Sequence, residues 1–303
     1  MYQSFNPKQV YHFEQLEQDL TILSDHMNHL CELRIIGYSV EGRPIYAFKI
    51  GSGEKRVCIT GAHHAREWLT TNLIVDFIYH LLFDQTWAWL TIREDWLRAI
   101  TFWFVPMVNP DGVKLVQQGS VGLVNQKNLL TWNRESTDFE RWKANASGVD
   151  LNRQYPEGWE IIQNDPGYPS ESHYKGENPL SEPEAQALHD FVSTHKMDCA
   201  LAYHSSGEEI FWRYLLEQSV YQQFQPLANE LAQVTGYQLI DPGENPSGGG
   251  FIDWFLMTFK KPGFTIEIAP SVGPKPVPLS MYNQVFQSNE LVLYVIADFL
   301  INK

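Results

Sequence analysis

Apolar positions along the chain fall into two alternating rhythms. Phe13, Leu16, Leu20, Leu23 and Met27 recur every three or four residues, with Ile22 beside them, so the spacing predicts an amphipathic helix over 11–33. Two strands are expected next, at 32–39 and 44–51, joined by the turn around Glu41-Gly42-Arg43. Short runs rich in β-branched and aromatic residues then occupy 56–60, 101–108, 199–204 and 264–268, and helical patterns separate them at 67–83, 181–195, 219–235 and 281–300. Ser181, followed by Pro183 and Glu184, predicts a capped helix start. Strands alternating with helices predict an α/β fold: a single domain over 1–303, built on a twisted, mixed but largely parallel sheet flanked by helices. Segment 115–174 is polar, aromatic and weakly periodic, and a loop of that length inside a domain is expected to form a functional wall. Ser247-Gly248-Gly249-Gly250 reads as a second mobile loop, with a plain turn as the alternative.

Composition narrows the function classes. An apolar fraction of 44% with 14% aromatics supports a large core and argues against disorder. The formal net charge is −14 and the longest basic cluster is the pair Lys260-Lys261, so no nucleic-acid partner is expected. Acidity reads chiefly as solubility, with a cationic or zwitterionic ligand as the other reading. Cys31, Cys58 and Cys199 form no CxxC pair, which suits a reducing compartment. The first twenty residues have neither a basic nor an apolar leader region, and no window approaches 18 uncharged apolar residues. The expectation is a cytoplasmic protein without a membrane partner.

The chemistry sits where the strand runs end. The run at 56–60 leads into Gly-Ala-His-His-Ala-Arg-Glu, that at 199–204 ends in Ala202-Tyr203-His204-Ser205, and that at 264–268 carries Glu267. Ligands of open α/β sheets bind beyond the carboxyl ends of strands. His64 and Glu67, three apart in a first helical turn, point the same way. His204 completes a His–Glu–His set that leaves the fourth zinc position open, and these donors suit one Zn²⁺ ion. His63 competes for the ligand role; His64 is preferred, with His63 as a packing or supporting residue. The same His-x-x-Glu spacing also occurs at ordinary surface helix starts. Glu267, flanked by Ile266 and Ile268, is costly in a strand unless paired or used. It reads as a general base for water activation, with a structural ion pair as the alternative. GxSxG, GxxxxGK[ST] and GxGxxG motifs are absent, so serine-hydrolase and nucleotide chemistry have no support.

Taken together, GAHHAREW (61–68), NPDG (109–112), GVDLNRQYP (148–156), PLSEPEAQAL (179–188), AYHSSGE (202–208), SGGGFIDW (247–254) and FTIEI (264–268) resemble the M14 metallocarboxypeptidases, in order and over nearly the whole catalytic domain of that family. RWKANASGVDLN, HSSGEEIFW and KKPGFTIEI resemble the bacterial branch of γ-D-glutamyl-L-diamino acid peptidases, without an amino-terminal pro-domain or wall-binding repeats. The resemblance implies zinc on His64, Glu67 and His204, and Glu267 as general acid/base. It implies a peptide or muropeptide substrate with a free carboxylate, held by Arg66, Asn152 and Arg153, whose guanidinium fork suits that group.

Two positions depart from the family pattern. Lys143 stands by spacing where an oxyanion-stabilising arginine is expected, with Arg141 close by, and Asn245 stands near the place of the substrate-capping tyrosine. Ile252 aligns with the floor of the pocket for the released residue, where a carboxylate would select basic side chains. The implied activity is hydrolysis of γ-D-glutamyl-L-diamino acid bonds. A general carboxypeptidase acting on apolar carboxy-termini, a zinc deacylase of N-acyl amino acids, and a non-catalytic zinc- or peptide-binding module are the alternatives.

Overall fold

In the computed structural model, which describes residues 5–26, 30–83, 96–243 and 246–302, the strands β1 (Cys31–Tyr38), β2 (Pro44–Ile50), β3 (Lys55–Thr60), β4 (Ile100–Val105), β5 (Cys199–Ser205), β6 (Glu209–Phe211), β7 (Gln238–Ile240) and β8 (Gly263–Ile268) form one sheet. Their order is β1-β2-β4-β3-β5-β8-β6-β7. The central four, β4-β3-β5-β8, run parallel; β2 joins β4, and β6 joins β8, antiparallel. The expected α/β sheet, mixed but largely parallel, is therefore present. Every residue of β4 is buried, as are all but the last of β5, which is why these strands read as continuous apolar runs without alternation.

Helices α1 (Phe13–His26), α2 (Leu69–Phe83), α3 (Pro110–Gln118), α4 (Gln126–Trp132), α5 (Pro183–His195), α6 (Gln225–Thr235), α7 (Phe251–Phe259), α8 (Tyr282–Asn289) and α9 (Val292–Ile301) flank it. Helix α5 packs on β1 where Gly37 leaves room for Ala187: a Cβ at 37 would lie 2.4 Å from the Ala187 Cβ. None of the helices among the described residues is long and apolar enough to cross a membrane.

Several element expectations need correction. The first helix does not reach 33; Cys31–Leu33 already pair with Phe48–Ile50, and Met27 lies outside the described residues. The pattern at 219–235 breaks into a turn at Gln218–Tyr221 and α6, whose first turn holds Pro226. The pattern at 281–300 is two helices, α8 and α9. Ser181 does not cap α5: its hydroxyl bonds Gln154 and Glu182, and Glu182 occupies the cap position.

Helix α7 was not foreseen, because Phe-Ile-Asp-Trp-Phe-Leu-Met-Thr-Phe is a short run with only two polar residues, whose type periodicity alone does not fix. Strands β6 and β7 have three residues each, too few to carry a pattern. Segment 115–174 contains α4 and its own small core of Leu115, Leu129, Phe139 and Trp142. The Gly-rich stretch is a pinned turn rather than a mobile loop. Gly249 donates to Glu157 O at 2.7 Å and accepts from Tyr155 N at 3.0 Å, with φ +75° and no room for a side chain against the Arg153 carbonyl.

The β1–β2 turn is held by buried acids. Asp111 accepts Glu41 N–H at 2.8 Å and pairs with Arg43, while Glu184 accepts Val40 N–H at 3.1 Å. Asn145 joins the Glu182 and Glu184 carboxylates at 2.7 and 3.1 Å. Burial pushes the Glu184 carboxyl up to about 8, and the neighbouring Asp111 and Glu182 charges add to it. A carboxyl raised above its ordinary 4.5 favours the fold while protonated; that contribution is complete below its ordinary value and is lost as pH rises through about 8. The Tm of Glu184→Gln relative to wild type should therefore rise, by a few degrees, between about pH 5 and pH 8 in scanning calorimetry. A pH-independent offset would contradict this account.

Candidate metal centre

Strands β3, β5 and β8 are neighbours in the sheet, so their carboxyl ends open onto one edge. After Thr60 the chain turns sharply. A Cβ on Gly61 would sit 2.8 Å from Ile74 and 2.9 Å from the Thr70 hydroxyl. That hydroxyl accepts Ala62 N–H and donates to Glu67 O, both at 2.8 Å. Asn109 ties the turn from outside: its amide donates to His63 O and Ala144 O at 3.1 Å, and its backbone N–H to Ala62 O at 3.0 Å. The single turn Ala65–Glu67 follows, with Ala65 N–H on Lys143 O at 3.1 Å. These contacts fix where His64 and Glu67 point.

The three expected ligands converge. Glu67 Oε1 lies 2.8 Å from His64 Nδ1, Glu67 Oε2 lies 2.8 Å from His204 Nδ1, and the two Nδ1 atoms are 3.1 Å apart. One ligand atom from each residue lies within 4.8 Å of the others, and all three residues are buried. Tetrahedral zinc with bonds of about 2.0–2.1 Å needs ligand atoms roughly 3.3 Å apart, close to these separations. Two imidazole nitrogens turned toward each other across a shared carboxylate are the donor set such an ion requires, so the residues fit zinc.

Burial works against charge on Glu67, but His64 and His204 outweigh it and hold the carboxyl well below its usual range. Burial also lowers His204, with Glu67 opposing. His63 is not in the set. It is fully buried, its ring 5.5 Å from those of His204 and Phe251, with Tyr155 Oη at 3.4 Å, as a packing residue.

Asp150 was missed in the sequence. It is fully buried and touches two site groups: Oδ1 lies 3.2 Å from His64 Nε2 and Oδ2 lies 2.9 Å from Lys143 Nζ. Burial opposes its charge, yet Lys143 and His64 hold it well below the ordinary range. A carboxylate on the far nitrogen of a ligand imidazole fixes ring orientation and tautomer. The available signal was an acid two places before Asn152 inside GVDLNRQYP.

The remaining expected residues are distributed around this centre. Glu267 pairs in register with His204 across β5–β8 and is partly exposed. Burial raises its carboxyl to about 8, Glu67 adds to that, and Lys143 pulls it down. Of the two cationic candidates, Lys143 is buried beside the centre whereas Arg141 is exposed. Arg66 donates to Arg141 O at 3.1 Å. Asn152 Oδ1 receives Phe251 N–H at 2.9 Å, and Arg153 donates to Asn152 O at 2.7 Å. Asn152, Arg153, Ile252 and Glu267 line one cavity of about 320 Å³. Asn245 lies outside the described residues.

Over 258 residues the chain is 38% identical to gamma-D-glutamyl-L-diamino acid endopeptidase 1 of Lysinibacillus sphaericus, covering 83% of this chain and 63% of that protein. It is 33% identical over 275 residues to the uncharacterized protein YqgT of Bacillus subtilis, covering 86% of this chain and 70% of that one. The matches thus span about two thirds of each relative's length. The fold superimposes on the crystal structure of thrombin activatable fibrinolysis inhibitor with a TM-score of 0.81 at 19% identity, over 98% of this chain and 76% of that one. Residues 16–272 match the Peptidase_M14 zinc carboxypeptidase model. With its histidines and glutamate gathered at the strand ends, the chain belongs to the M14 zinc carboxypeptidase family.

Proposed function

We propose that this chain is a catalytic domain that hydrolyses γ-D-glutamyl-L-diamino acid bonds in muropeptides, with one zinc ion on His64, Glu67 and His204. The observation that carries the hydrolytic reading is the convergence of those three side chains beside Glu267. The substrate class rests on the printed activity of the Lysinibacillus sphaericus relative. The buried free thiols of Cys31, Cys58 and Cys199 support action in a reducing, cytoplasmic compartment.

When bound, zinc supplies Lewis acidity that polarises a carbonyl and acidifies water. Asp150 keeps the His64 ring turned toward the centre. Glu267, in a half-buried position that favours uptake of a proton, takes one from the attacking water at a carboxylate oxygen. The water oxygen bonds to the carbonyl carbon, and the Lys143 ammonium, anchored on Asp150, faces the charge that develops. Glu267 then hands its proton to the amide nitrogen, the C–N bond breaks, and an acid and an amine are released. Arg66, Asn152 and Arg153 orient the substrate through its carboxylate.

A second reading, release of ordinary apolar carboxy-terminal residues, is favoured by Ile252 in the cavity with Arg153.

Glu267→Gln should keep full zinc by elemental analysis while kcat/KM falls about 10²–10⁴-fold; unchanged turnover would remove Glu267 from the mechanism. Adding zinc to chelator-treated protein should raise Tm, and His204→Ala should abolish that rise, because a ligand that binds the folded state stabilises it by mass action. The substrate assignment predicts cleavage of L-Ala-γ-D-Glu-diaminopimelate in preference to a blocked apolar dipeptide, followed by chromatography. Cleavage of the dipeptide alone would replace the muropeptide reading by the second one.

A further inference from the structure

Arg153 stands between two cavities of opposite character. The inner one, about 320 Å³, also carries Glu267, Asp253 and Asp241. Burial raises the Asp253 carboxyl to about 7 and Arg153 opposes that, so on this side the arginine already faces an acid. The outer cavity, about 400 Å³, shares Arg153, Pro246 and Ser247 with the inner one, but none of its described lining residues is acidic. His173, Gln163 and Asn164 join Arg153 there. One guanidinium nitrogen donates to Asn152 O at 2.7 Å, and the other donors have no hydrogen-bond partner among the described residues. An anion brought to Arg153 is therefore repelled from the inner cavity and accepted in the outer one.

The neighbours of His173 hold it at this outer cavity. Glu171 O accepts Lys143 N–H at 2.9 Å and Ala144 N–H at 3.1 Å, Ser172 O accepts the Ser170 hydroxyl at 2.7 Å, and Tyr174 O accepts Asp150 N–H at 2.8 Å. With both flanks tied in this way, residue 173 takes φ +70°, a left-handed conformation that side chains disfavour and that concentrates at ligand sites. The residue is exposed, and its ring makes no hydrogen bond to the described residues. Partial withdrawal from water lowers its proton affinity below the ordinary 6.5; Lys143 and Arg153 add to this, and Asp150 opposes it. A neutral imidazole keeps one N–H to donate.

We infer that His173 is a substrate-binding residue: together with Arg153 it holds a carboxylate of the substrate in the acid-free cavity, the ring N–H donating to one oxygen and the guanidinium to the other. This rests on the proposed hydrolysis with Arg153 as carboxylate anchor, but not on the γ-glutamyl linkage.

The test uses γ-D-glutamyl-L-lysine, which has two carboxylates, and its two monoamides, on zinc-loaded wild type, Arg153→Gln, His173→Gly and His173→Gln. Glycine removes the ring without adding strain at a left-handed position, and glutamine restores a neutral N–H. Amidation of the held carboxylate should lower wild-type kcat/KM about 100-fold, and Arg153→Gln identifies it as the one whose acid-to-amide ratio falls most. In His173→Gly that ratio should drop about tenfold, and in His173→Gln it should stay within about threefold of wild type. The ratio for the other carboxylate should not change in either variant. Partial misfolding scales acid and amide alike and leaves the ratios untouched. Equal ratios in wild type and His173→Gly, or a wild type indifferent to both amides, would overturn the inference. If the γ-linked series is not cut, the γ-glutamyl assignment fails on its own, and a blocked apolar dipeptide and its carboxamide give the ratio instead. Calorimetric binding of acid and amide to zinc-loaded Glu267→Gln, with and without His173→Gly, repeats the comparison without turnover. The preference for the acid should shrink about tenfold, and an unchanged preference would remove His173 from the site.

Discussion

A buried carboxylate shared by two imidazoles holds this site in place. Glu67 is 4% exposed, and an isolated ionised acid in such a position would be strongly disfavoured. Its two oxygens are instead divided between His64 and His204, and Ser205 N–H adds a longer contact at 3.3 Å. That division ties the turn after β3 to the end of β5. It succeeds because the two strands are adjacent and parallel, with Thr60 opposite Ala202, and because β5 runs on to Ser205 beside β8, which carries His204 past the end of β3 to the level of the turn that bears His64 and Glu67. A shift of one residue in that register would turn His204 to the other face of the sheet. The metal-binding geometry is thus a property of strand pairing as much as of the ligands.

The surrounding contacts serve the same constraint. Asn109 bonds three carbonyls, from residues 62, 63 and 144, and so joins the ligand-bearing turn to the segment that carries Lys143. Gly112 permits this, since a Cβ there would lie 2.6 Å from the Asn109 carboxamide oxygen and 2.7 Å from Ala144 O. The two halves of the site are separated by some eighty positions, yet one side chain sets their spacing.

The parts of the fold that were legible in the sequence are those whose pattern has one cause. The buried strands read clearly because both faces are covered, and His64, Glu67 and His204 read clearly because strand ends concentrate polar groups only where something repays their desolvation. Asp150 was not legible: an acid in a motif looks the same whether it faces water or an imidazole, and only the fold brings it to His64 and Lys143. Helix α7 was hidden because a short run with only Asp253 and Thr258 polar reads as a buried strand as readily as a helix. The Gly-rich turn misled because composition suggests freedom, whereas Gly249 is chosen for close approach to the Arg153 carbonyl. Ser181 misled because the helix begins one residue later: Glu182 takes the cap position, and the Ser181 hydroxyl donates to the Glu182 and Gln154 side chains instead.

Lysine at 143 fits the local accounting of hydrogen bonds. The residue is 8% exposed, and Asp150 is the acid within reach among the described residues. Asp150 already gives one oxygen to His64 and to Asn152 N–H, leaving the other for the cation. A guanidinium brings five N–H donors in a fixed fork, and most would be buried here without acceptors. An ammonium has three donors on a flexible stem and meets Asp150 with one of them. Its charge is felt at Glu267, where it opposes the effect of burial. The departure at 143 therefore follows from Asp150 serving His64 and the cation together, a smaller cation matched to a single remaining oxygen.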